Sequence, residues 1–231
     1  MTGRTLTGRT ALVTGANRGI GLAVAERLVA DGHRVHMACR EPEAAEATAQ
    51  RLGPLARPVV MDVCQEASVA AARAITGPVD IVVNNAGVLL DAGSDPITTS
   101  LAAVRRTVEV NALGAWRVAQ AYLPAMVDAG WGRLVMVSSG TALFSRGLHL
   151  SAPGYTLSKV ALNALTVMLA EAVRGSGVLV NAINPGRVRT RMMPEAGTSP
   201  RDAAADVVWA ATLPDDGPTG AFLRSGVVVP W

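Results

Sequence analysis

Residues 10–21 read TALVTGANRGIG, and they predict how the chain begins to fold. The first part is a short apolar run of the kind found in buried strands, and this run ends at Gly15. A helical pattern follows over residues 22–30 and stops at Asp31. A strand, a glycine-rich turn and a helix in this order predict the opening βα unit of an α/β domain.

The glycine turn at residues 15–21 has a chemical use as well as a structural one. Glycine lets backbone N–H groups approach a phosphate closely, and the amino terminus of the following helix favours the negative charge. A simple βα turn explains an isolated match of this kind equally well. Here the strand before the turn and the helix after it supply the context that a dinucleotide-binding turn requires.

Short apolar runs and helical patterns alternate along the rest of the chain. Further strands are predicted at residues 35–39, 59–61, 80–84, 134–138, 178–183 and 227–229. Helices are predicted at residues 42–52, 66–75, 100–129, 153–174 and 201–211, with a break near Pro124 in the longest. This order implies βαβ units and an open, doubly wound parallel sheet of about seven strands with helices on both faces, in one α/β domain over residues 1–231.

Composition and charge exclude several classes of protein. Hydrophobic residues make up 50% of the chain and charged residues 17%, which indicates a well-buried core. The net charge is +3, but the arginines form no basic block, so we expect no nucleic-acid partner. No apolar run approaches the ~20 residues of a membrane span, and residues 1–9 do not resemble a signal peptide. Cys39 and Cys64 are too few for a disulfide framework or a metal site, so we expect a cytoplasmic protein without a metal.

A rare tyrosine and a rare lysine lie four residues apart. The chain has 21 lysines and arginines, of which only Lys159 is a lysine, and Tyr155 is one of two tyrosines. On a helix this spacing brings both side chains to the same face. A neighbouring ammonium would lower the pKa of Tyr155 from its reference value near 10 toward a range useful for proton transfer. For an isolated pair of this kind, an ordinary exposed helix pair is the alternative.

Five motifs in a fixed order resemble the short-chain dehydrogenases/reductases of the classical type. They are the turn at residues 14–21, the segment Asn84 to Gly87, Asn111, Ser139 with Tyr155 and Lys159, and the pair Pro185 and Gly186. The resemblance covers nearly the whole chain, and residues 217–231 resemble the carbonyl-reductase branch in particular. It implies a single-domain Rossmann fold and an NADPH-dependent oxidoreductase that reduces a ketone or aldehyde to an alcohol, reversibly.

The resemblance also implies a role for each catalytic residue. Tyr155 would be the general acid and base, and Lys159 would lower its pKa and hold the nicotinamide ribose hydroxyls. Ser139, rather than Ser138, would donate a hydrogen bond to the carbonyl oxygen, where negative charge develops. Asn111 would anchor a water that links Lys159 to solvent. The cofactor would supply the hydride, and the protein the orientation and the proton.

The cofactor preference depends on charge near the adenosine ribose. NAD-preferring members of the family carry an acid at the end of the second strand, where this chain has Cys39 followed by Arg40. Arg18 and Arg40 together fit the 2′-phosphate of NADP better than a bare hydroxyl, although Glu41 could bind a hydroxyl instead. We therefore expect NADP(H) to be preferred over NAD(H). The cofactor-binding residues implied by the resemblance are Gly15, Asn17, Arg18, Gly19, Ile20, Gly21, Arg40, Asp62, Val63, Asn85, Ala86, Gly87, Tyr155, Lys159, Pro185, Gly186, Val188 and Thr190.

The substrate leaves a weaker signal than the cofactor. The loop between Ser139 and Tyr155 carries apolar residues that predict a wall over the carbonyl group. These residues are Leu143, Phe144, Leu148, Leu150 and Pro153. Met192 and Met193 either adapt an open pocket to varied small-molecule substrates or pack against the sheet.

Three other functions and an assembly are compatible with parts of this pattern. A β-ketoacyl or polyketide ketoreductase of the same family is one alternative, and a non-catalytic dinucleotide-binding protein is another, although no residue of the catalytic set is missing. An enoyl reductase would place its tyrosine and lysine at wider spacing. The family resemblance implies a homodimer or homotetramer that pairs the long helix and the Tyr155 helix between subunits, with Trp116 as a contact.

Overall fold

An eight-stranded sheet runs through the protein, which a computed structural model describes for residues 8–231. Most of the polar segment at residues 1–9 therefore lies outside the described residues. The strands are β1 (Thr10–Thr14), β2 (Arg34–Cys39), β3 (Ala56–Val60), β4 (Ile81–Asn84), β5 (Gly132–Val137), β6 (Val178–Ile183), β7 (Phe222–Arg224) and β8 (Val227–Val229). Their order is β3-β2-β1-β4-β5-β6-β7-β8, and only the pairing of β7 with β8 is antiparallel among these strands.

Helices cover both faces of the sheet. They are α1 (Gly19–Ala30), α2 (Pro42–Leu52), α3 (Glu66–Thr76), α4 (Leu101–Val108), α5 (Gly114–Asp128), α6 (Pro153–Ala172) and α7 (Pro200–Ala211). One apolar cluster packs α3, α5 and α6 against the sheet, and a second packs α1 and α7 against the other face. Successive strand residues alternate between the clusters, as Leu12 and Val13 do. Of the helices within residues 8–231, none combines the length and the apolar character needed to cross a membrane.

This topology confirms the doubly wound Rossmann fold expected from the sequence. The strand order runs outward from β1 on one side and from β4 on the other, so the direction of winding reverses between these two neighbouring strands. Ligands of such sheets bind at the carboxyl ends of the strands, beside this reversal. The turn after β1 and the segment after β4 both lie there.

The sequence prediction of about seven strands missed β7. The segment has three residues, too few for a periodic pattern, yet Phe222 and Leu223 are fully buried beside β6. The predicted final strand is β8, which returns antiparallel to β7 at the edge of the sheet. Another strand, predicted at residues 59–61, begins earlier and is β3.

The prediction of a break near Pro124 was wrong. Pro124 lies inside α5 at an exposed position, so its ring is on the water-facing side of the helix. The interruption instead lies at Glu109–Leu113, a single π-helical turn between α4 and α5. Such turns occur frequently at functional sites. This one carries Asn111.

Candidate active site

A cleft of about 1000 Å³ opens at the carboxyl ends of the central strands. Its walls come from the turn after β1, the segments after β2, β3, β4 and β5, the start of α6, and the segment after β6. The sequence-predicted site residues line this cleft with two exceptions, Gly21 and Asn111. Residues from the whole length of the chain therefore meet where the sheet topology predicts a ligand.

The glycine turn is fixed by its contacts with the segment after β4. The Thr14 hydroxyl accepts hydrogen bonds from the backbone N–H groups of Asn85 and Ala86, each at 3.0 Å. The Asn85 side chain donates back to the Thr14 carbonyl at 2.9 Å. A Cβ at Gly21 would lie 2.4 Å from Asn85 Nδ2 and 2.4 Å from the carbonyl oxygen of Gly15, so a side chain cannot fit there.

The start of α1 fits a phosphate group. Arg18 precedes the helix in an extended conformation and its side chain does not cap the first turn, whose N–H groups are therefore left for a ligand. Gly15 and Gly19 have φ values of +65° and +56°, a region that favours glycine. The turn thus has the conformation, the donors and the helix amino terminus that a dinucleotide pyrophosphate requires.

Asn111 lies behind the cleft wall and holds it in position. Its side chain is 1% exposed and pairs with both backbone groups of Val88, accepting from the N–H at 2.8 Å and donating to the carbonyl at 2.9 Å. Its second amide hydrogen goes to the Ser158 hydroxyl at 3.0 Å. Ser158 donates in turn to the carbonyl of Tyr155 at 2.7 Å, which connects the π turn to α6.

Tyr155 and Lys159 lie in the first two turns of α6. Tyr155 is partly buried, and Lys159 is 4% exposed. The Lys159 ammonium lies 5.6 Å from the centroid of the tyrosine ring and donates a 2.7 Å hydrogen bond to the Val137 carbonyl at the end of β5. Burial lowers the pKa of Lys159 from 10.5 to about 8. The predicted i, i+4 pair is therefore present, and it faces the cleft.

The expected direction of the Tyr155 pKa was wrong for the protein on its own. Burial raises this pKa above its usual value of 10, because removal from water disfavours the phenolate. The Ser139 side chain opposes the rise by hydrogen bonding. The Lys159 ammonium is bound to the Val137 carbonyl and lies 5.6 Å from the centroid of the tyrosine ring.

The two neighbouring serines are distinguished by their hydrogen bonds. Ser138 is buried and donates its proton to Asn163 Oδ1 at 2.6 Å, so its hydroxyl is fully used within the protein. Ser139 lines the cleft and accepts from the N–H and the hydroxyl of Thr141, at 3.3 and 3.0 Å. Because it accepts twice, the Ser139 hydroxyl keeps its own proton for an acceptor in the cleft.

The far end of the cleft carries the residues expected around the adenosine. Arg18 and Arg40 are both exposed there, and Asp62 and Val63 lie beside them. Arg40 forms a 3.5 Å ion pair with Glu41, and both side chains are more than half exposed. A pair this exposed is weak. The Arg40 guanidinium can therefore exchange Glu41 for a phosphate at little cost.

The segment after β6 closes the cleft on the opposite side. The Asn184 side chain accepts from the Gly186 N–H at 2.9 Å and so fixes the turn at Pro185. Val188 is buried, and the Thr190 methyl group would lie 3.5 Å from a Cβ placed on Gly19. Thr190 therefore packs against the glycine turn.

The family of this protein is shown by comparing its sequence with those of known proteins. The family model described as short chain dehydrogenase matches residues 9–200. The chain belongs to the short-chain dehydrogenase family. The oxidoreductase UcpA of Escherichia coli strain K12 is 40% identical over 202 residues, which are 81% of this chain and 72% of that protein.

Other relatives of this short-chain dehydrogenase differ in what their names say they act on. D-threitol dehydrogenase of Mycolicibacterium smegmatis is 35% identical over 225 residues, which are 94% of this chain and 81% of that protein. A crystal structure of a 3-oxoacyl-[acyl-carrier protein] reductase from Brucella melitensis with bound NAD aligns with a TM-score of 0.86 and 27% identity, over 96% of this chain and 91% of that one. The family thus includes polyol dehydrogenases and ketoacyl reductases among the neighbours of this chain.

The predicted apolar wall over the carbonyl was wrong. Leu143 is 1% exposed and belongs to the core, while Phe144 and Leu150 are 69% and 65% exposed and do not line the cleft. Other residues of this loop and of two further segments line this part of the short-chain dehydrogenase. They are Leu89, Leu90, His149, Ala152, Met192 and Met193. Both methionines therefore face the cleft.

Asp91 is a buried residue beside the cleft that the sequence analysis did not identify. It is 3% exposed, and its carboxylate accepts from the backbone N–H groups of Gly154 and Tyr155, the latter at 3.3 Å. It therefore caps the helix that carries Tyr155 and Lys159. No local pattern could identify it, because the cap lies 63 residues before Gly154 in sequence.

The two cysteines also line the cleft, although they take no part in a bond with each other. Both are free thiols, and burial raises the pKa of Cys39 and of Cys64. Neutral thiols are poor nucleophiles and poor metal ligands. Within residues 8–231, no three side chains of the usual metal-ligating types lie together.

Proposed function

We propose that this short-chain dehydrogenase is an NADP(H)-dependent oxidoreductase that reduces a ketone or aldehyde to an alcohol, reversibly. The observation that carries the proposal is the meeting of Tyr155, Ser139 and Lys159 at one cleft beside the glycine turn. The cofactor, when bound by the glycine turn, Asn85 to Gly87 and the segment after Pro185, supplies the hydride. The side chains of the protein supply the proton and hold the carbonyl group.

Tyr155 is the proposed general acid. Because burial raises its pKa, the phenol keeps its proton throughout the neutral range and can give it to the carbonyl oxygen as negative charge develops. Ser139 donates to the same oxygen with the proton that Thr141 leaves free. In the oxidation direction Tyr155 must first lose its proton, so that direction is favoured by alkaline pH.

Lys159 has two proposed roles that follow from its position. Its ammonium would hold the ribose hydroxyls of the cofactor and provide positive charge near the phenolate that remains after proton transfer. A pKa of about 8 makes the amine able to give up and recover a proton near neutral pH. Asn111 would keep Val88 and Ser158 in place, since both of its N–H donors are already used by protein atoms.

The preference for NADP(H) is supported by Arg18 and Arg40 at the adenosine end. Two guanidinium groups match a 2′-phosphate, and the Arg40 ion pair with Glu41 is too exposed to compete strongly. The assignment is tested by comparing kcat/KM with NADPH and with NADH. An equal or higher value with NADH would show that Arg18 and Arg40 do not recognise a phosphate.

The mechanism is tested by replacing Tyr155 with phenylalanine. NADPH oxidation is measured with a panel of aldehydes, aromatic ketones, β-ketoacyl thioesters and polycyclic ketones. We expect Tyr155→Phe to reduce kcat by at least ~10²-fold, because the ring stays and only the acid is lost. Retained activity in this variant would exclude Tyr155 as the proton donor.

Ser138 and Ser139 offer a matched control. Ser139→Ala removes the donor to the carbonyl oxygen, and we expect kcat to fall at least ~10-fold. Ser138→Ala removes a buried bond to Asn163 and is expected to lower stability rather than turnover. The opposite result would mean that the two serines had been assigned the wrong way round.

A β-ketoacyl reductase is the second candidate. It is favoured by the alignment with the 3-oxoacyl-[acyl-carrier protein] reductase of Brucella melitensis. The thioester arm of the substrate panel distinguishes it from a general carbonyl reductase. Its signature would be a kcat/KM for β-ketoacyl thioesters far above that for simple ketones.

We also propose that residues 1–231 act as one dinucleotide-binding domain and assemble as a homodimer or homotetramer. One sheet holds strands from Thr10 to Val229, which supports the single domain. Leu101 on α4 and Leu157 and Met168 on α6 are 63%, 53% and 57% exposed, which supports subunit contacts there. Light scattering after size-exclusion chromatography gives the mass, and a monomer would contradict the assembly.

A further inference from the structure

The cleft carries more positive charge than the proposed cofactor needs. Its cations are Arg18, Arg40, Arg106, Lys159, Arg187, Arg189 and Arg191, and its acids are Glu41 and Asp62. Arg18 and Arg40 are accounted for by the proposed 2′-phosphate, and Lys159 belongs to the catalytic pair. Arg106 is close enough to Cys64, at the adenosine end, to influence the pKa of that thiol. The excess is therefore concentrated in the three arginines after Pro185, here called the arginine row.

The arginine row lies in an irregular segment that two isolated bridges hold. Val188 pairs with Thr198, and Thr190 pairs with Met193 across a turn that contains Arg191. Val188 is buried and Thr190 packs toward the glycine turn. All three arginines are exposed and all three line the cleft.

The arginine row has no counterion among the described residues. No carboxylate of residues 8–231 forms an ion pair with Arg187, Arg189 or Arg191, and none of the three side chains donates a hydrogen bond to an atom of these residues. Three like charges within five residues repel each other. An anion bound in the cleft would remove this repulsion and would receive several guanidinium donors.

The row belongs to the substrate part of the cleft. Met192 and Met193 follow it directly and line the same cleft as Leu89 and Leu90. The pyrophosphate of a cofactor already has its own donors in the glycine turn and the start of α1. We infer that the arginine row binds an anionic group, carboxylate or phosphate, on a carbonyl substrate that also has an apolar portion. This inference rests on the proposed carbonyl reduction and names the class of its substrate.

The test uses aromatic ketones that carry an anionic or a neutral group at the same position. The probes are 4-acetylbenzoate, its methyl ester and 4-acetylphenyl phosphate, each supplied to the protein of residues 1–231 with NADPH. We expect the carboxylate or the phosphate to have a kcat/KM at least ~10-fold above that of the ester, through a lower KM, because a charge-assisted bond to a guanidinium is among the strongest available. The relative values for the carboxylate and the phosphate identify which anion the row prefers.

The double variant Arg187→Gln with Arg191→Gln tests the residues themselves. We expect the ratio of kcat/KM for the anionic ketone to that for the ester to fall at least ~10-fold. Arg201→Gln, which changes an exposed arginine of α7 outside the cleft, is the matched control and should leave the ratio unaltered. No preference in the wild-type protein, or an unchanged ratio in the double variant, would overturn the inference.

Two binding measurements separate this inference from the proposed function. Calorimetric titration of the NADP⁺ complex with 4-acetylbenzoate and with its ester needs no turnover, so it decides the inference even if no ketone is reduced. Fluorescence titration with NADPH tests whether the row holds the cofactor instead. A large loss of NADPH affinity in the double variant, with no change in the preference for the carboxylate, would assign the row to the cofactor and contradict the inference.

Discussion

A buried cation lies at each end of strand β5, and the two cations differ in how many hydrogen-bond and ion-pair partners they have. At the amino end, Arg133 is fully buried and donates to the carbonyls of Leu213, Gly132 and Gly177 and to Asp215, the last at 2.7 Å. At the carboxyl end, Lys159 donates one hydrogen bond, to Val137. Among the described residues no carboxylate pairs with it.

This difference indicates what each cation does. Arg133 has a counterion, four hydrogen bonds and the Trp131 ring at 4.2 Å, and Arg9 also lies against Trp131, at 3.8 Å. Such a group stabilises the fold. Lys159 has unused donors and a lowered pKa, and it faces a cleft, which is typical of a group kept for a ligand.

The largest effect on stability is expected at the satisfied cation. Arg133→Met would leave the Leu213 carbonyl without its donor in the protein interior and would remove one side of the stacking with Trp131. We expect the free energy of unfolding to fall by about 3 kcal/mol, measured by urea denaturation. The kcat of the folded fraction should not change, because the cluster lies at the opposite end of the sheet from the cleft.

Asp215→Asn is the matched control for Arg133. The Asp215 side chain is 81% exposed, so its charge is screened by water and contributes little on its own. We expect a much smaller loss of stability than in the arginine variant. Equal losses would mean that the ion pair, rather than the buried donors of Arg133, stabilises this end of the sheet.

Removal of the second cation, Lys159, is expected to increase the stability of the protein. Burial lowers the pKa of Lys159 from 10.5 to about 8. This difference means that the charged lysine destabilises the folded state by about 3 kcal/mol at neutral pH. Lys159→Met removes the charge but also the bond to Val137. We therefore expect the variant to be more stable than the wild type by about 2 kcal/mol at pH 7, and to lose activity.

The pH dependence gives this prediction a definite sign. Between the folded pKa of about 8 and the unfolded value of 10.5, the unfolded state binds more protons at Lys159 than the folded state does. The unfolding free energy of the wild type therefore rises with pH across this window, relative to the methionine variant. Urea denaturation at pH 7 and at pH 10 measures the unfolding free energy of the wild type and of Lys159→Met. If the difference between the two proteins does not become smaller at pH 10, burial of the Lys159 charge does not destabilise the fold.

The fold was largely predictable because its strands and helices carry local signals. The bounds of β1, α2, β6 and β8 follow directly from apolar runs and their flanking residues. The strand β7 was not predictable, since three residues carry no period. The π turn around Asn111 was also missed, because the bonds that hold it come from Val88 and Ser158, in segments far from it in sequence.

The sequence predicted which residues would meet at the cleft, but it did not predict their electrostatic environment. Spacing alone indicated that Tyr155 and Lys159 share a helix face. It could not indicate that the ammonium binds the Val137 carbonyl or that burial dominates the tyrosine pKa, because both depend on what packs around α6. The sequence shows where the charged residues are. Only the structure shows how deeply they are buried and which residues distant in sequence are their hydrogen-bond partners.

Asp91 provides a third buried charge and the smallest expected effect. It is satisfied by backbone donors, as Arg133 is, yet it lies in the half of the molecule that holds the cleft. We expect Asp91→Ala to lower the free energy of unfolding by about 1.5 kcal/mol, because the N–H groups of Gly154 and Tyr155 lose their hydrogen-bond acceptor.

The same variant should also affect catalysis, because the cap fixes the turn of α6 that carries Tyr155. We expect kcat to fall about 10-fold with little change in KM, since a small displacement of the proton donor weakens transition-state contacts more than binding. Asp91→Asn keeps the shape and one acceptor oxygen, and it should recover part of both losses. If Asp91→Ala loses stability but keeps its kcat, Asp91 has a purely structural role, as Arg133 does. Of the three buried charges compared here, only Lys159 would then contribute to the reaction.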